Sequence, residues 1–187
     1  KTPVIKRHWQ IINDLKNSKF KIKNSKFILM GDHVTALPEE SLENSKVDYV
    51  LAGGDYDFLL LKLLNSLSDP NRKDIPRIIR DDQSHSLDEL PLIDRELTKW
   101  KLYAEKNGNY KYTPGSYVMN ARDCWWGKCT FCSWTTLFPG EKFRCRSVGK
   151  ALDEIGALIN LGVKEIMEDS GTLPIAQWLE EFCAGMI

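Results

Sequence analysis

Ala121-Arg122-Asp123-Cys124-Trp125-Trp126-Gly127-Lys128-Cys129-Thr130-Phe131-Cys132-Ser133-Trp134 is the stretch on which the reading of this chain turns. Three of the five cysteines, Cys124, Cys129 and Cys132, fall within it, spaced Cys-x4-Cys-x2-Cys, while Cys145 and Cys183 stand apart. Three thiols so close cannot all pair with one another, and short loops strain a disulfide. Thiolates at this spacing can instead converge on a soft metal centre. On a four-iron cluster, three thiolates would leave one iron open to a ligand that is not protein. Zinc in a structural site takes a fourth protein ligand instead.

The flanks of this loop read as alternating strands and helices. Tyr117-Val118-Met119 is expected to be a strand leading into it. Ser147 is placed to cap a helix with Val148, Ala151, Leu152, Ile155, Leu158 and Ile159 on one face, and Gly162 to end it. Val163 to Met167 reads as the next strand and Glu168-Asp169-Ser170-Gly171 as a polar loop. Pro174 then opens a helix with Ile175, Trp178, Leu179, Phe182 and Met186 in one stripe. Both loops would lie at the carboxyl ends of strands, the edge at which parallel α/β proteins and barrels bind ligands.

The N-terminal part has the same rhythm. Thr2-Pro3 opens a helix with the stripe Ile5, Trp9, Ile12, Leu15. The run Phe27-Ile28-Leu29-Met30, closed by Gly31, reads as a buried strand. Pro38-Glu39-Glu40 suits a first helical turn. Val47 to Leu51 is a second strand ended by Gly53-Gly54, and Asp55 is placed to cap a helix carrying Leu60, Leu63, Leu64 and Leu67. Strand, helix, strand, helix at this length is a parallel α/β unit. It would be half of a doubly wound sheet, the other half preceding Lys1. Ser68 to Gln83 reads as a connector with one short strand, Arg77 to Arg80. Leu87 to Asp94 is expected to be extended, and Glu96 to Lys106 helical with Asn107-Gly108 as its stop.

The 26 basic and 26 acidic side chains cancel, which argues against a general polyanion binder, because affinity for nucleic acid comes largely from neutralised phosphates. The longest apolar run, Phe58 to Leu64, is broken by Lys62 and falls far short of the ~20 residues a membrane span needs. An odd cysteine count with three clustered fits a reducing compartment, the cytoplasm, better than a disulfide framework. The opening at Lys1 and the close on an apolar helix read as an internal fragment of a longer protein.

The cysteine loop, with Phe131 inside its last pair and a strand before it, resembles the radical S-adenosylmethionine (radical SAM) superfamily. That family's usual pattern has three residues between the first two cysteines; this chain has four. Gly31-Asp32-His33-Val34-Thr35 is similar to the Gly-Gly-Pro-His segment in the cobalamin-binding domain of one large subgroup. Where that subgroup has a Gly-Glu-Gly-Glu turn, this chain has Gly53-Gly54-Asp55-Tyr56. Leu87-Asp88-Glu89-Leu90-Pro91-Leu92-Ile93-Asp94-Arg95 resembles its linker. The resemblance implies an α/β chain in which 1–68 is the second half of a Rossmann-like cobalamin-binding domain and 69–115 a linker. The first βα units of a partial TIM-type radical SAM barrel would then occupy 116–187.

It further implies that Cys124, Cys129 and Cys132 hold a 4Fe-4S cluster whose open iron is chelated by S-adenosylmethionine. Reductive cleavage there generates a 5′-deoxyadenosyl radical. Cobalamin as second cofactor would serve methyl transfer or a radical cyclisation or oxidation. Phe131 would pack near the adenine, and Glu168, Asp169, Ser170 and Gly171 would meet the methionyl amino group. Gly31, His33, Val34, Thr35, Gly53 and Gly54 would line the cobalamin tail. The partners implied are a small-molecule or peptide substrate and an electron donor such as flavodoxin or ferredoxin, with no nucleic acid and no membrane span.

Plainer readings stand beside these. The triplet could be a non-catalytic zinc- or iron-sulfur-binding module; zinc would need Cys145 or a histidine to complete it, since only one Cys-x2-Cys pair is present. Cys145 and Cys183 read as buried or half-buried thiols. Arg144 and Arg146 read as a solvated charge pair that could also steer an anionic substrate. Trp125, Trp126 and Trp134 either wall the site from water or simply pack.

Overall fold

In a computed structural model the chain is a mixed α/β protein with parallel sheets, described here for residues 2–18, 25–72, 74–134, 137 and 143–187. It divides into two compact units, one mainly Lys1–Ser84 and the other His85–Thr135 with Lys142–Ile187.

The first unit opens with a 3-10 turn, Thr2–Val4, and helix α1, Ile5–Asn17, which buries Ile5, Trp9 and Ile12 of the expected stripe. Strands β1 (Ile28–Met30), β2 (Tyr49–Leu51) and β3 (Ile78–Ile79) form a parallel sheet in that order. Short helices α2 (Asp32–Ala36) and α3 (Pro38–Asn44) cross from β1 to β2, and α4 (Tyr56–Ser68) crosses from β2 to β3. The apolar stripe of α1 packs with Val34, Val47 and Val50, while Leu51, Leu59, Leu63 and Ile79 make a second cluster. Burial of this kind yields ~25 cal/mol per Å² and dominates what holds such a unit together. Two expectations are corrected here. Helix α4 buries Leu59, Leu63 and Ser66 and leaves Leu64 and Leu67 exposed, because leucines surround the helix and the sheet selects the face. Asp55 occupies the position before α4 and is buried, but its side chain makes no capping bond.

In the second unit β4 (Gly115–Val118) pairs in parallel with β7 (Glu165–Glu168), and β5 (Ala121–Arg122) pairs antiparallel with β6 (Arg144–Cys145). Helix α6 (Val148–Asn160) links β6 to β7, and α7 (Gln177–Gly185) follows. Ser147 caps α6 by accepting from the Lys150 amide, as expected. Trp100, Ala104, Val118, Ile155, Leu158 and Val163 form the core.

Several expectations fail in this unit. The 87–94 segment is not extended throughout: Leu87–Glu89 is a 3-10 turn, closed by a reciprocal capping box between Ser86 and Glu89. The 96–106 helix shrinks to α5, Lys101–Ala104: Asp94 accepts from the amides of Glu96 and Leu97 as an N-cap would, but the left-handed conformation of Lys99 (φ 51°) interrupts the helix before α5. Helix α7 begins three residues after Pro174 because Ala176 is also left-handed (φ 56°), and α7 buries none of its side chains fully. Helix α6 buries Glu154 and leaves Ile159 60% exposed, against the expected stripe.

The buried acid has a clear cause. Glu154 Oε1 accepts from Arg95 Nη1 at 2.5 Å and its Oε2 lies 3.4 Å from Arg146 Nη1, all three side chains being almost wholly enclosed. Arg95 also donates to Ser116 Oγ and to the carbonyl of Tyr117 on β4. Buried charges persist only when paired and hydrogen-bonded in this way.

Candidate functional site

The cysteine loop is an excursion between β5 and β6. Its two ends meet through the pairs Ala121–Cys145 and Arg122–Arg144. Just outside, the Arg146 amide donates to the Asn120 carbonyl at 2.8 Å. β5 begins just past the carboxyl end of β4, and Glu168-Asp169-Ser170-Gly171 leaves the carboxyl end of β7; since β4 and β7 are parallel, both segments lie at one edge.

They also touch. The Ala121 amide donates to Ser170 Oγ at 2.8 Å, and the Trp134 indole N–H donates to the Asp123 carbonyl at 3.0 Å. The Trp134 ring lies directly over Gly171, where any Cβ would overlap it. Asp123, buried and left-handed (φ 69°), accepts from the Cys124 amide at 2.8 Å. Both sequence-predicted loops are therefore brought together, and Gly171 serves as the seat of a tryptophan.

All five cysteines are free thiols; Cys124 is half-buried and Cys129 and Cys132 are exposed on one turn closed by the Cys132 amide and the Cys129 carbonyl. The donor set suits a soft metal or an iron–sulfur cluster in kind. Among the described residues, however, no three His, Cys, Asp or Glu side chains are gathered to hold a metal ion, so the thiols share a loop without converging. Phe131 stands 90% exposed, and Trp125 and Trp126, also exposed, meet edge to face with each other. Asp169 is exposed, whereas Glu168 is engaged by Asn120 and Ser170. Cys145 and Cys183 are exposed rather than buried, the first on a two-residue strand and the second on the half-covered α7. Arg144 and Arg146 are not a solvated pair either. Arg146 is buried against Glu154, and Arg144 donates to the His85 carbonyl.

In the first unit Gly31 follows β1 and Gly53-Gly54 follow β2, again at the carboxyl edge of parallel strands. Gly31 (φ 124°) and Gly53 (φ 145°) adopt backbone conformations that side-chain-bearing residues avoid. Thr35 joins the two turns: its hydroxyl donates to the Gly31 carbonyl at 3.1 Å, accepts from the Gly53 amide at 3.2 Å and lies 3.1 Å from the Tyr56 hydroxyl. His33 and Val34, expected to line a ligand, point into the unit instead. His33 is 5% exposed, edge-on to Trp9, with Nε2 2.9 Å from Glu40 Oε2 and Nδ1 3.3 Å from Thr2 Oγ1. Val34 belongs to the Trp9 core.

Asn120, Asp123, Arg95 and Glu154 were not singled out from sequence. Glu154 carried a signal, since it occupies a stripe position between Ala151, Ile155 and Leu158; its partner Arg95, distant in sequence, carried none.

Comparison of this chain with models of known families, with curated proteins and with solved structures finds no match. No helix among the described residues is long and apolar enough to cross a membrane.

Proposed function

We propose that the chain is part of a cobalamin-dependent radical S-adenosylmethionine enzyme. In this reading the first unit is the second half of a Rossmann-like cobalamin-binding domain, and the second begins a partial TIM-type barrel. The observation that carries the proposal is three free thiols on one loop at the carboxyl edge of a parallel strand pair, seated on an acidic loop through Trp134 and Gly171. Cys124, Cys129 and Cys132 would hold a 4Fe-4S cluster, their loop drawing together around it. When bound, such a cluster supplies an electron for cleaving the sulfonium of S-adenosylmethionine, and cobalamin supplies methyl transfer or assists radical cyclisation or oxidation.

The chain's own contribution is placement. Asp169, exposed beside the cysteine loop, offers a carboxylate for a charge-assisted bond to the methionyl ammonium. The aromatic residues Trp125, Trp126 and Phe131 supply apolar surface for an adenine and against water. In the first unit, Gly31, Thr35, Gly53 and Gly54 form the edge along which a cobalamin tail would run. A small-molecule or peptide substrate and a flavodoxin- or ferredoxin-type donor complete the reading, and five free thiols accord with the cytoplasm.

The test is anaerobic reconstitution with iron and sulfide, followed by reduction and product analysis with S-adenosylmethionine. Formation of 5′-deoxyadenosine, lost in Cys124→Ala, is expected; S-adenosylhomocysteine beside it would select methyl transfer. Tight zinc with no iron retained would replace the proposal with a zinc-binding module.

A further inference from the structure

Glu168 ends β7 with a carboxylate that is already surrounded by donors of its own chain. Oε1 accepts from the Asn120 amide at 3.2 Å, the Ser170 amide at 3.1 Å and the Ser170 hydroxyl, and Oε2 accepts from the Asn120 side-chain amide at 2.5 Å. A carboxylate offers about four acceptor sites, two on each oxygen, so these bonds saturate Oε1 and leave one site on Oε2 beside the Asn120 side chain. Each partner then holds one end of the cysteine loop. Ser170 Oγ takes the Ala121 amide at the entry, and the Asn120 carbonyl takes the Arg146 amide just past the exit. Asn120 is itself only 2% exposed.

We infer that Glu168 is a positioning residue: through Asn120 and Ser170 it clamps both ends of the cysteine loop to the carboxyl edge of β4 and β7, and it does not contact a ligand. Only the role of the clamped loop rests on the function proposed above. The clamp is a property of the metal-free chain.

The discriminating experiment reverses one hydrogen bond. In Glu168→Gln an amide group replaces one acceptor oxygen, so a donor faces a donor whichever way the side chain turns. Adding Asn120→Asp lets the new glutamine donate to the aspartate, with shape and net charge kept. The readouts are hydrogen exchange of the metal-free protein over 119–124 and 143–147, with α6 as internal control, and the alkylation rate of half-buried Cys124.

Glu168→Gln is expected to raise exchange in both segments and to speed Cys124 alkylation by about tenfold, the size expected for one buried donor left unpaired. Helix α6 should stay protected, and the double variant should recover most of the loss. Unchanged exchange in Glu168→Gln, loosening of α6 in step with the loop, or no recovery in the double variant would each overturn the clamp. So would a Glu168→Gln protein that keeps its loop protection yet binds S-adenosylmethionine more weakly after reconstitution, since that is the signature of a ligand contact. A wild-type chain that takes up no cluster would overturn the proposed function while leaving the exchange result standing.

Discussion

Trp134 occupies the space that a side chain on Gly171 would need: a Cβ there would meet the indole Nε1 at 2.0 Å. The turn of the cysteine loop that carries Trp134 is thus seated on the loop after β7, and the same indole donates to the Asp123 carbonyl next to Cys124. One glycine couples the two segments of which the candidate site is made.

Gly171→Ala should therefore unseat Trp134. Overpacking of this kind costs about 1–3 kcal/mol. The loss should be local, appearing as faster hydrogen exchange over 121–134 with helix α6 unaffected. Gly108→Ala, where an added Cβ meets nothing, is the control and should leave 121–134 unchanged.

Glu154 holds Arg95 and Arg146 inside the second unit. Glu154→Ala leaves two guanidinium groups buried without their shared acid, and should destabilise by about 3–5 kcal/mol in chemical denaturation. Glu154→Leu with Arg95→Met and Arg146→Met should recover much of that, because an apolar set has no charge to desolvate.

The first unit has an acid-sensitive tie at Asp48. Burial raises its carboxyl, but the hydrogen bonds from Lys16 and the Phe27 amide, and then the charges of Lys16 and Lys26, outweigh burial and hold it below 3.8. A depressed carboxylate contributes stability above its unfolded value and loses it as pH falls through the folded one. Wild type should therefore lose stability relative to Asp48→Asn as pH is lowered from about 5 to about 2, across the ordinary aspartate range. Parallel curves for the two proteins in denaturant titrations would contradict this.

The thiols should separate by reactivity. Cys129 and Cys132 are exposed and should alkylate first, with half-buried Cys124 following. Cys145 is also an exposed residue, but partial burial of its thiol, and then the Asp88 charge, push it above 9.0. Since the thiolate is the reactive form, Cys145 should lag behind Cys129 at neutral pH and catch up only in alkali. Mass-spectrometric alkylation kinetics against pH would show it.

Much of this arrangement was legible in residue order because strands and glycine turns are local signals. The runs ending at Met30, Leu51, Met119 and Met167 mark four strands that form two parallel pairings, the last two ending one residue away from the expected positions, at Val118 and Glu168, and the position of the cysteine loop after a strand puts it near their carboxyl edge. Ser86 with Glu89 is a local capping-box pattern, and it turns the start of the Leu87 to Asp94 segment into a 3-10 turn where Pro91 suggests extended chain. The faces of α4 were not readable, because Leu59, Leu60, Leu61, Leu63 and Leu64 leave no period for the sheet to contradict. The clamp at Glu168 and the Arg95–Glu154–Arg146 set depend on partners far apart in the chain, and no local pattern announces them. His33 looked like a ligand residue in a glycine turn, yet Trp9 and Glu40 draw it inward.

Electron paramagnetic resonance of the anaerobically reconstituted, reduced protein, recorded with and without S-adenosylmethionine, decides whether the three thiols hold a cluster with an open iron. A 4Fe-4S signal that changes when the ligand is added and is absent from Cys124→Ala is expected. A protein that retains zinc and forms no cluster, or a cluster whose signal ignores the ligand, would contradict the proposed function.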